Sequence, residues 1–289
     1  MRLLLAQLAP VPGDLDRNLE RLRAAVRAAP CDLAVFPELF LSGYRVGDRM
    51  HRLALRADDR SVRALREVAH ASGATVVVGA PVASRERPGE VHNAALAVPP
   101  SGDLLTQVKR YLPTFGPFEE GVPFTPTERS APVALPGATV GLEVCYDVFF
   151  PEVSRQLALG GAELIVAISA APVTSRRLFD RLLPARAIEN AVPVVYVNRV
   201  GVEDGIVFGG GSGGWDPRGE PIASTPVPFA PAAPEESLAL LEVDPHEAMH
   251  WRPFRPVLRD VAGRSGSAEA MPPAERAPSD PRSIPTRAL

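Results

Sequence analysis

A single cysteine stands where a predicted strand ends. The stretch TVGLEVCYDVFFPE, residues 139–152, runs from β-forming residues into Cys145, and Cys31 is the only other cysteine of the chain. A thiol between a strand and a helix lies near backbone N–H groups, which favour the thiolate and can later hold an oxyanion. The sequence therefore indicates Cys145 as a nucleophile, and a small buried apolar residue is the alternative interpretation.

A nucleophilic thiol needs a base, and the sequence offers a carboxylate for that role. In VFPELFLSGY, residues 35–44, Glu38 follows one apolar run and precedes another. A carboxylate in such surroundings costs free energy unless it is paired, and a desolvated carboxylate is suited to accept a thiol proton. A glutamate at the surface or at a helix start is the other interpretation. None of the five histidines sits at an obvious strand end beside an apolar run, so the sequence does not support a Cys–His pair.

A lysine at the end of a third run completes the set. In QVKRYLPTFGPFEE, residues 107–120, Lys109 ends an alternating strand-like run and is followed by aromatic residues. A fixed ammonium stabilises negative charge that develops on a carbonyl oxygen. Glu119 or Glu120, later in the same loop, would pair with Lys109 and hold it charged. A solvated lysine is the alternative, because most lysines lie at the surface.

Strands and helices that alternate along the chain must position these side chains. Helical spacing begins at Leu15 with Asp14 as a candidate N-cap. Apolar runs predict strands over 2–8, 32–36, 75–82, 92–98, 139–144, 163–169, 193–198 and 237–243, and helices over 60–72, 152–160 and 175–191. A turn at 101–103 predicts a hairpin, and 205–219 predicts a strand pair with a glycine-rich join. Together these patterns predict α/β layers around mixed sheets.

One domain is expected over residues 1–261, because no linker divides this part of the chain. Residues 262–289 lack periodicity and aromatic residues, and they predict a proline-rich, irregular C-terminal tail.

Composition argues against several classes of function. A formal net charge of −3 over 289 residues leaves no basic field for nucleic acid or an anionic membrane. No window reaches about 18 apolar residues, and the N-terminus lacks a signal-peptide pattern. Two cysteines make no disulfide framework, which favours a reducing compartment, and we expect a cytoplasmic protein. No Cys/His cluster has metal-ligand spacing and no phosphate-binding loop is present, so we expect no metal ion and no cofactor.

The order and spacing of these motifs resemble the nitrilase superfamily of carbon–nitrogen hydrolases. The stretches LLPARAIENAVPVVYVNRVG (182–201) and GGGSGGWDPRGEPIA (209–223) are also similar to segments of that family, and the resemblance covers about residues 1–260. It implies a four-layer α-β-β-α sandwich and a homodimer or higher homo-oligomer. It implies a catalytic Glu–Lys–Cys triad of Glu38, Lys109 and Cys145, with Glu120 as a second glutamate.

The resemblance also implies a reaction. An amidase-like member would cleave a non-peptide C–N bond of a small linear amide through a cysteine thioester, releasing ammonia or an amine and a carboxylic acid. Tyr146 and Asp147 after the cysteine resemble the amidase branch. Val148 and Phe149 stand where carbamoyl-amide hydrolases often carry arginine, which predicts a neutral acyl pocket. Val122 stands where the family often has an arginine, which leaves the anchoring of its loop open.

Other functions stay open from the sequence. The same triad would serve a nitrilase, an N-carbamoyl-amide hydrolase or an acyltransferase. A glutaminase subunit that feeds ammonia to a synthetase is a further alternative, and a non-catalytic binding or scaffold protein is the remote one. For substrate binding we single out Tyr44, which follows Glu38, and Tyr146 and Phe150, which flank Cys145. We add Ala170, because small residues after the strand at 163–169 leave room near Cys145 for a bulkier acyl group. For the three aromatic residues, packing in the core is the other interpretation.

Overall fold

Two mixed β-sheets form the centre of the molecule, which is described for residues 1–263 by a computed structural model. The larger sheet contains seven strands, in the spatial order β13 (Ser224–Val227), β14 (Ser237–Glu242), β1 (Arg2–Gln7), β2 (Leu33–Val35), β3 (Thr75–Ala83), β4 (Val91–Val98) and β5 (Leu105–Val108). The smaller sheet contains five strands, in the order β12 (Gly213–Trp215), β9 (Val194–Asn198), β8 (Leu164–Ser169), β7 (Ala138–Val144) and β6 (Val133–Leu135). In each sheet three central strands are parallel and the outer ones are antiparallel, which confirms the predicted mixed sheets.

Helices and a separate hairpin complete the described part of the chain. The hairpin joins β10 (Val200–Glu203) to β11 (Ile206–Gly209). The helices are α1 (Leu15–Ala28), α2 (Met50–Leu53), α3 (Arg60–Ser72), α4 (Pro151–Leu159), α5 (Arg176–Asn190), α6 (Glu247–Phe254) and α7 (Val257–Ala262). None of the helices described within residues 1–263 has the length and apolar character needed to cross a membrane.

Alternation along the strands produces the four layers. In β1, Leu3 and Leu5 join Leu142 of β7 in the apolar core between the two sheets. Leu4 points the other way and packs in the cluster that contains Leu22 of α1. Because successive side chains of a strand point to opposite faces, one strand can serve both layers. On the far face of the smaller sheet, β8 and β9 pack against α5 in the same manner. The predicted α-β-β-α sandwich is confirmed.

Helix α1 shows how local sequence sets these layers. Leu19, Leu22 and Val26 recur at helical spacing and are all buried. The Asp14 side chain accepts a hydrogen bond of 3.0 Å from the backbone nitrogen of Arg17, so the predicted N-cap is confirmed. A cap of this kind satisfies a backbone donor that the first turn of a helix leaves free.

The predicted elements are present with one difference in pairing, and the sequence did not predict six other elements within residues 1–263: α2, β6, β10, β13, α6 and α7. The two strands expected within 205–219 exist, but β11 pairs with β10 and β12 pairs with β9. The glycine-rich join therefore connects two sheets and does not close a hairpin. The tail predicted over 262–289 lies almost entirely outside the described residues, and its first residue ends α7.

Candidate active site

The cysteine lies on a tight turn between a strand and a helix. β7 ends at Val144, a 3₁₀ turn spans Cys145–Phe149, and α4 begins at Pro151. Cys145 has a φ of 49°, in the left-handed region that residues with a side chain rarely adopt. Such a conformation costs about 1–3 kcal/mol and persists only where the surroundings hold it. The turn leaves the half-buried thiol at the carboxyl end of a central strand, as the sequence predicts.

The surroundings of Cys145 favour its neutral thiol. Burial raises its pKa well above the usual range, the negative charge of Glu38 raises it further, and the ammonium of Lys109 opposes both. The sequence had suggested that nearby N–H groups favour the thiolate. In the structure desolvation outweighs them, so the free site needs a base to remove the proton.

The glutamate occupies the first turn after β2 and is completely buried. Leu39, directly after Glu38, has a φ of 48°. This turn packs on Gly79 of β3, where a Cβ atom would lie only 2.5 Å from Cα of Glu38. The Gly79 nitrogen also donates to the Pro37 carbonyl over 3.0 Å. A glycine at this point of β3 therefore lets the glutamate turn approach the sheet.

The lysine bridges two carboxylates in the interior. Lys109, at the end of β5, is fully buried, and its Nζ lies 2.7 Å from Oε1 of Glu38 and 2.7 Å from Oε1 of Glu120. Glu120 is the partner among the two glutamates that the sequence left open for Lys109. Its loop is held by backbone hydrogen bonds, including one of 3.0 Å from the Phe124 nitrogen to the Glu120 carbonyl. Val122 therefore leaves the loop anchored without an arginine at that position.

Two further donors complete the carboxylate cluster. Asn93 of β4 donates from Nδ2 to Oε1 of Glu38 over 2.7 Å and to Oε2 of Glu120 over 3.3 Å. The Ala170 backbone nitrogen donates to Oε2 of Glu38 over 2.8 Å, and the Tyr44 hydroxyl donates to Glu120. Buried charges need such partners because each one has lost its hydration.

The charged groups of the cluster stabilise one another. Burial lowers the pKa of Lys109, but Glu120 and Glu38 raise it by more, so the pKa of this lysine lies above its usual range. Burial raises the pKa of Glu120, and the Lys109 ammonium opposes that rise. Lys109 therefore stays protonated throughout the neutral pH range.

Two of the predicted substrate-binding residues contact the cluster. Tyr44 is buried and bonded to Glu120, and Ala170 is buried with its N–H on Glu38. The other two lie beside the nucleophile and are half-buried. The ring of Tyr146 packs at 5.1 Å from that of Phe150, which stacks on another tyrosine.

Sequence reasoning missed three residues that position the site. Asn93 and Gly79 were visible only as parts of apolar strands. Asn198, at the end of β9, accepts from the Ala171 nitrogen over 2.9 Å and donates to the Ala171 carbonyl over 3.1 Å, which holds the segment after β8. A buried polar residue at a strand end was the signal that would have found Asn198.

A cavity of about 350 Å³ adjoins the cluster. Tyr44 and Glu120 lie in its wall, together with Asp48, His51 and Val122. Within residues 1–263, no group of three or more histidine, cysteine or acidic side chains is arranged to hold a metal ion.

Fold and site together are those of a hydrolytic enzyme with a cysteine at a strand end. The sequence model of the family described as carbon-nitrogen hydrolase matches residues 2–252, so the chain belongs to that family and is a hydrolase of C–N bonds. This confirms the resemblance that the motifs indicate.

Named relatives agree with this family. The (R)-stereoselective amidase of Pseudomonas sp is 35% identical over 222 residues, which cover 76% of this chain and 78% of that protein. The glutamine-dependent NAD(+) synthetase of Thermotoga maritima is 38% identical over 231 residues, 77% of this chain but 39% of the synthetase. A glutamate-to-glutamine mutant of the amidase from Nesterenkonia sp. AN1, solved with acrylamide added at its active-site cysteine, is 30% identical with a TM-score of 0.73. That match covers 90% of this chain and 99% of the other.

Proposed function

We propose that this hydrolase is an amidase that cleaves small, uncharged linear amides through a thioester on Cys145. The observation that carries the proposal is the bonding of Lys109. An ammonium has three N–H donors, and two of them are taken by Glu38 and Glu120. The third remains for an oxygen that gains negative charge, which is the requirement of acyl transfer.

We assign the role of the base to Glu38. Its Oε1 accepts from both Lys109 and Asn93, whereas its Oε2 accepts only from the Ala170 nitrogen. Each carboxylate oxygen has two acceptor positions, so Oε2 keeps one for a proton. The neutral thiol of Cys145 gives up its proton to Glu38 as the sulfur attacks the amide carbon.

The remaining steps follow from the same groups. Lys109 and a backbone N–H just after Cys145 hold the oxyanion of the tetrahedral intermediate. When this intermediate collapses, the C–N bond breaks and the leaving nitrogen takes the proton from Glu38. Glu38 then removes a proton from water, which attacks the thioester carbon. The carboxylic acid leaves, and the sulfur regains its proton.

The surroundings of Cys145 support an uncharged acyl group. The rings of Tyr146, Phe149 and Phe150 lie next to one another on the turn of the nucleophile. Two arginines on neighbouring segments have partners, because Arg110 donates to Gln156 and Arg176 pairs with Asp180. A substrate carboxylate that bound either of them would have to displace one of these interactions. An apolar acyl chain would instead pack on the rings.

A glutaminase is the second candidate, and the similarity to the Thermotoga maritima synthetase favours it. The chain spans 39% of that protein, so the synthetase activity as a whole is not carried over. A glutaminase would have to bind the charged α-amino and α-carboxylate groups of glutamine. Hydrolysis of glutamine in preference to uncharged amides would select this alternative.

Release of ammonia from a panel of amides, nitriles, carbamoyl compounds and glutamine tests the proposal, with Cys145→Ala as the matched variant. We expect turnover of uncharged amides that is lost in the variant. Activity on nitriles or carbamoyl compounds alone would refute the amidase assignment, and activity retained by the variant would refute the thioester. A homodimer stays a prediction, and sedimentation of the purified protein tests it.

A further inference from the structure

A buried aspartate connects the lysine segment to the nucleophile turn. Asp147 lies two residues after Cys145 and is only 1% exposed. Its Oδ1 accepts from the Arg110 nitrogen over 3.1 Å and from the Tyr111 nitrogen over 2.9 Å, and its Oδ2 accepts from the Val144 nitrogen over 3.2 Å. One carboxylate thus gathers backbone donors from two segments that are more than thirty residues apart in the chain.

The three donors flank the two reacting residues. Arg110 and Tyr111 directly follow Lys109, and Val144 directly precedes Cys145. The backbone nitrogen of Lys109 itself donates to the Asn93 carbonyl over 2.8 Å, which holds its other side. The Asp147 contacts therefore set where the end of β5 lies relative to the turn of the nucleophile. Burial raises the pKa of Asp147 to about 7, while the charge of Lys109 and the three backbone donors oppose that rise. Above that pH the side chain is a carboxylate, whose hydrogen bonds to backbone N–H groups are stronger than neutral ones.

We propose that Asp147 is a positioning residue, which holds the Lys109 ammonium in register with the Cys145 sulfur by binding the backbone on either side of them. The inference rests on the proposed roles of Lys109 and Cys145. Asp147 acts through the backbone and takes no part in proton transfer. A misplacement of about 1 Å can cost about 100-fold in rate. Loss of the Asp147 hydrogen bonds therefore lowers kcat more than it changes KM.

An amide cannot replace this carboxylate. In Asp147→Asn the side chain has one acceptor oxygen and one NH₂ group, and either orientation turns the NH₂ toward at least one backbone N–H. Glu143 provides the matched control, because it is equally buried and lies two residues before Cys145. Its hydrogen bond comes from the Ser154 hydroxyl, and Glu143→Gln keeps an acceptor for that bond.

The first experiment measures kcat per reactive thiol, with active sites counted by alkylation of Cys145 and mass spectrometry. Asp147→Asn is expected to lower kcat per site by about tenfold to 100-fold, with KM changed by less than about threefold. Glu143→Gln is expected to stay within about twofold of the wild type. A merely structural role would reduce the number of active sites and leave kcat per site unchanged, which would overturn the proposal. An equal loss in Glu143→Gln would overturn it too.

The second experiment needs no amide substrate and so separates this proposal from the proposed function. Above pH 7, where Asp147 is charged, simple removal of its negative charge would lower the pKa of the Cys145 thiol and speed its alkylation by iodoacetamide. Displacement of Lys109, whose charge lowers the pKa of that thiol, would slow it. We expect alkylation in Asp147→Asn to slow by about tenfold or more. Faster alkylation in Asp147→Asn would overturn the positioning role of Asp147. This result would count even if the protein hydrolyses none of the compounds in the substrate panel.

Hydrogen exchange in the wild-type protein covers the case in which Asp147→Asn does not fold. The amides of Arg110 and Tyr111 lie outside the strands, yet both donate to a buried carboxylate. They are expected to exchange as slowly as amides of the neighbouring strand β5. Exchange at the rate of an open loop would overturn the proposal.

Discussion

Replacement of Glu38 by glutamine tests the centre of the proposed mechanism. The variant keeps the shape of the side chain and its Oε1 acceptor, which binds both Lys109 and Asn93. It loses the group that takes the proton from Cys145. General-base catalysis contributes about 100-fold to 10,000-fold. We therefore expect kcat to fall by at least about 100-fold, which corresponds to about 3 kcal/mol in the barrier.

The same structure predicts a small change in folding stability. In the variant the new NH₂ group faces the Ala170 nitrogen, which now donates to Oε2 over 2.8 Å, and losing this bond costs about 1–3 kcal/mol. The cluster of Lys109, Glu38 and Glu120 carries one ammonium and two carboxylates. Removing the Glu38 carboxylate leaves Lys109 and Glu120 as a neutral pair. Because an excess buried charge is destabilising, this change offsets part of the cost of the lost hydrogen bond. The free energy of unfolding should therefore change by less than about 2 kcal/mol.

Two assays separate loss of the base from loss of the fold. Ammonia release measures turnover, and alkylation measures the thiol, since the negative charge of Glu38 raises the pKa of Cys145. The variant should still be alkylated, with its rate profile moved to lower pH. Glu143→Gln, a buried carboxylate outside the cluster, is the control and should turn over normally. Turnover within tenfold of the wild type in a folded variant would refute Glu38 as the base.

Three other substitutions test the electrostatics and packing of the interior, two of them at residues that contact the site. Burial raises the pKa of Glu143 from 4.5 to about 7. The protonated side chain therefore favours the folded state at low pH, and this stabilisation is lost as the pH rises through about 7. The total loss in the free energy of unfolding is about 3 kcal/mol. Urea denaturation should show Glu143→Gln gaining about 2 kcal/mol on the wild type between pH 5 and pH 8, and a difference independent of pH would contradict this. Gly79→Ala places a Cβ 2.5 Å from Cα of Glu38. It should lower the free energy of unfolding by about 1–3 kcal/mol and also lower kcat, as thermal melting and ammonia release would show. Wild-type stability and kcat would contradict the close approach of the two segments. Tyr44→Phe removes a donor to the buried Glu120 and should lower the free energy of unfolding by about 1–2 kcal/mol, and an unchanged urea midpoint would show that this bond contributes nothing.

Much of the fold could be predicted because its signals are local. The helical spacing of Leu19, Leu22 and Val26 and the cap at Asp14 depend on neighbours a few residues away, and the structure has them as expected. The pairing of β11 and β12 with different partners could not be predicted, because a strand pattern does not say which sheet accepts it. The glycines between β11 and β12 let the backbone either close a hairpin or turn toward the other sheet.

The candidate groups for chemistry could be found from the sequence, because Glu38, Lys109, Glu120 and Cys145 each follow a recognisable strand or lie in its loop. Their protonation states depend on the folded surroundings. Residues separated by up to about a hundred positions meet in the interior, where burial raises the pKa of Cys145 and two carboxylates keep Lys109 charged. The contacts of Asn93 and Asp147 became visible only in the structure, since each of them has partners from distant segments. Desolvation and charge pairing depend on the whole assembly of neighbours, and no local pattern of residues records them.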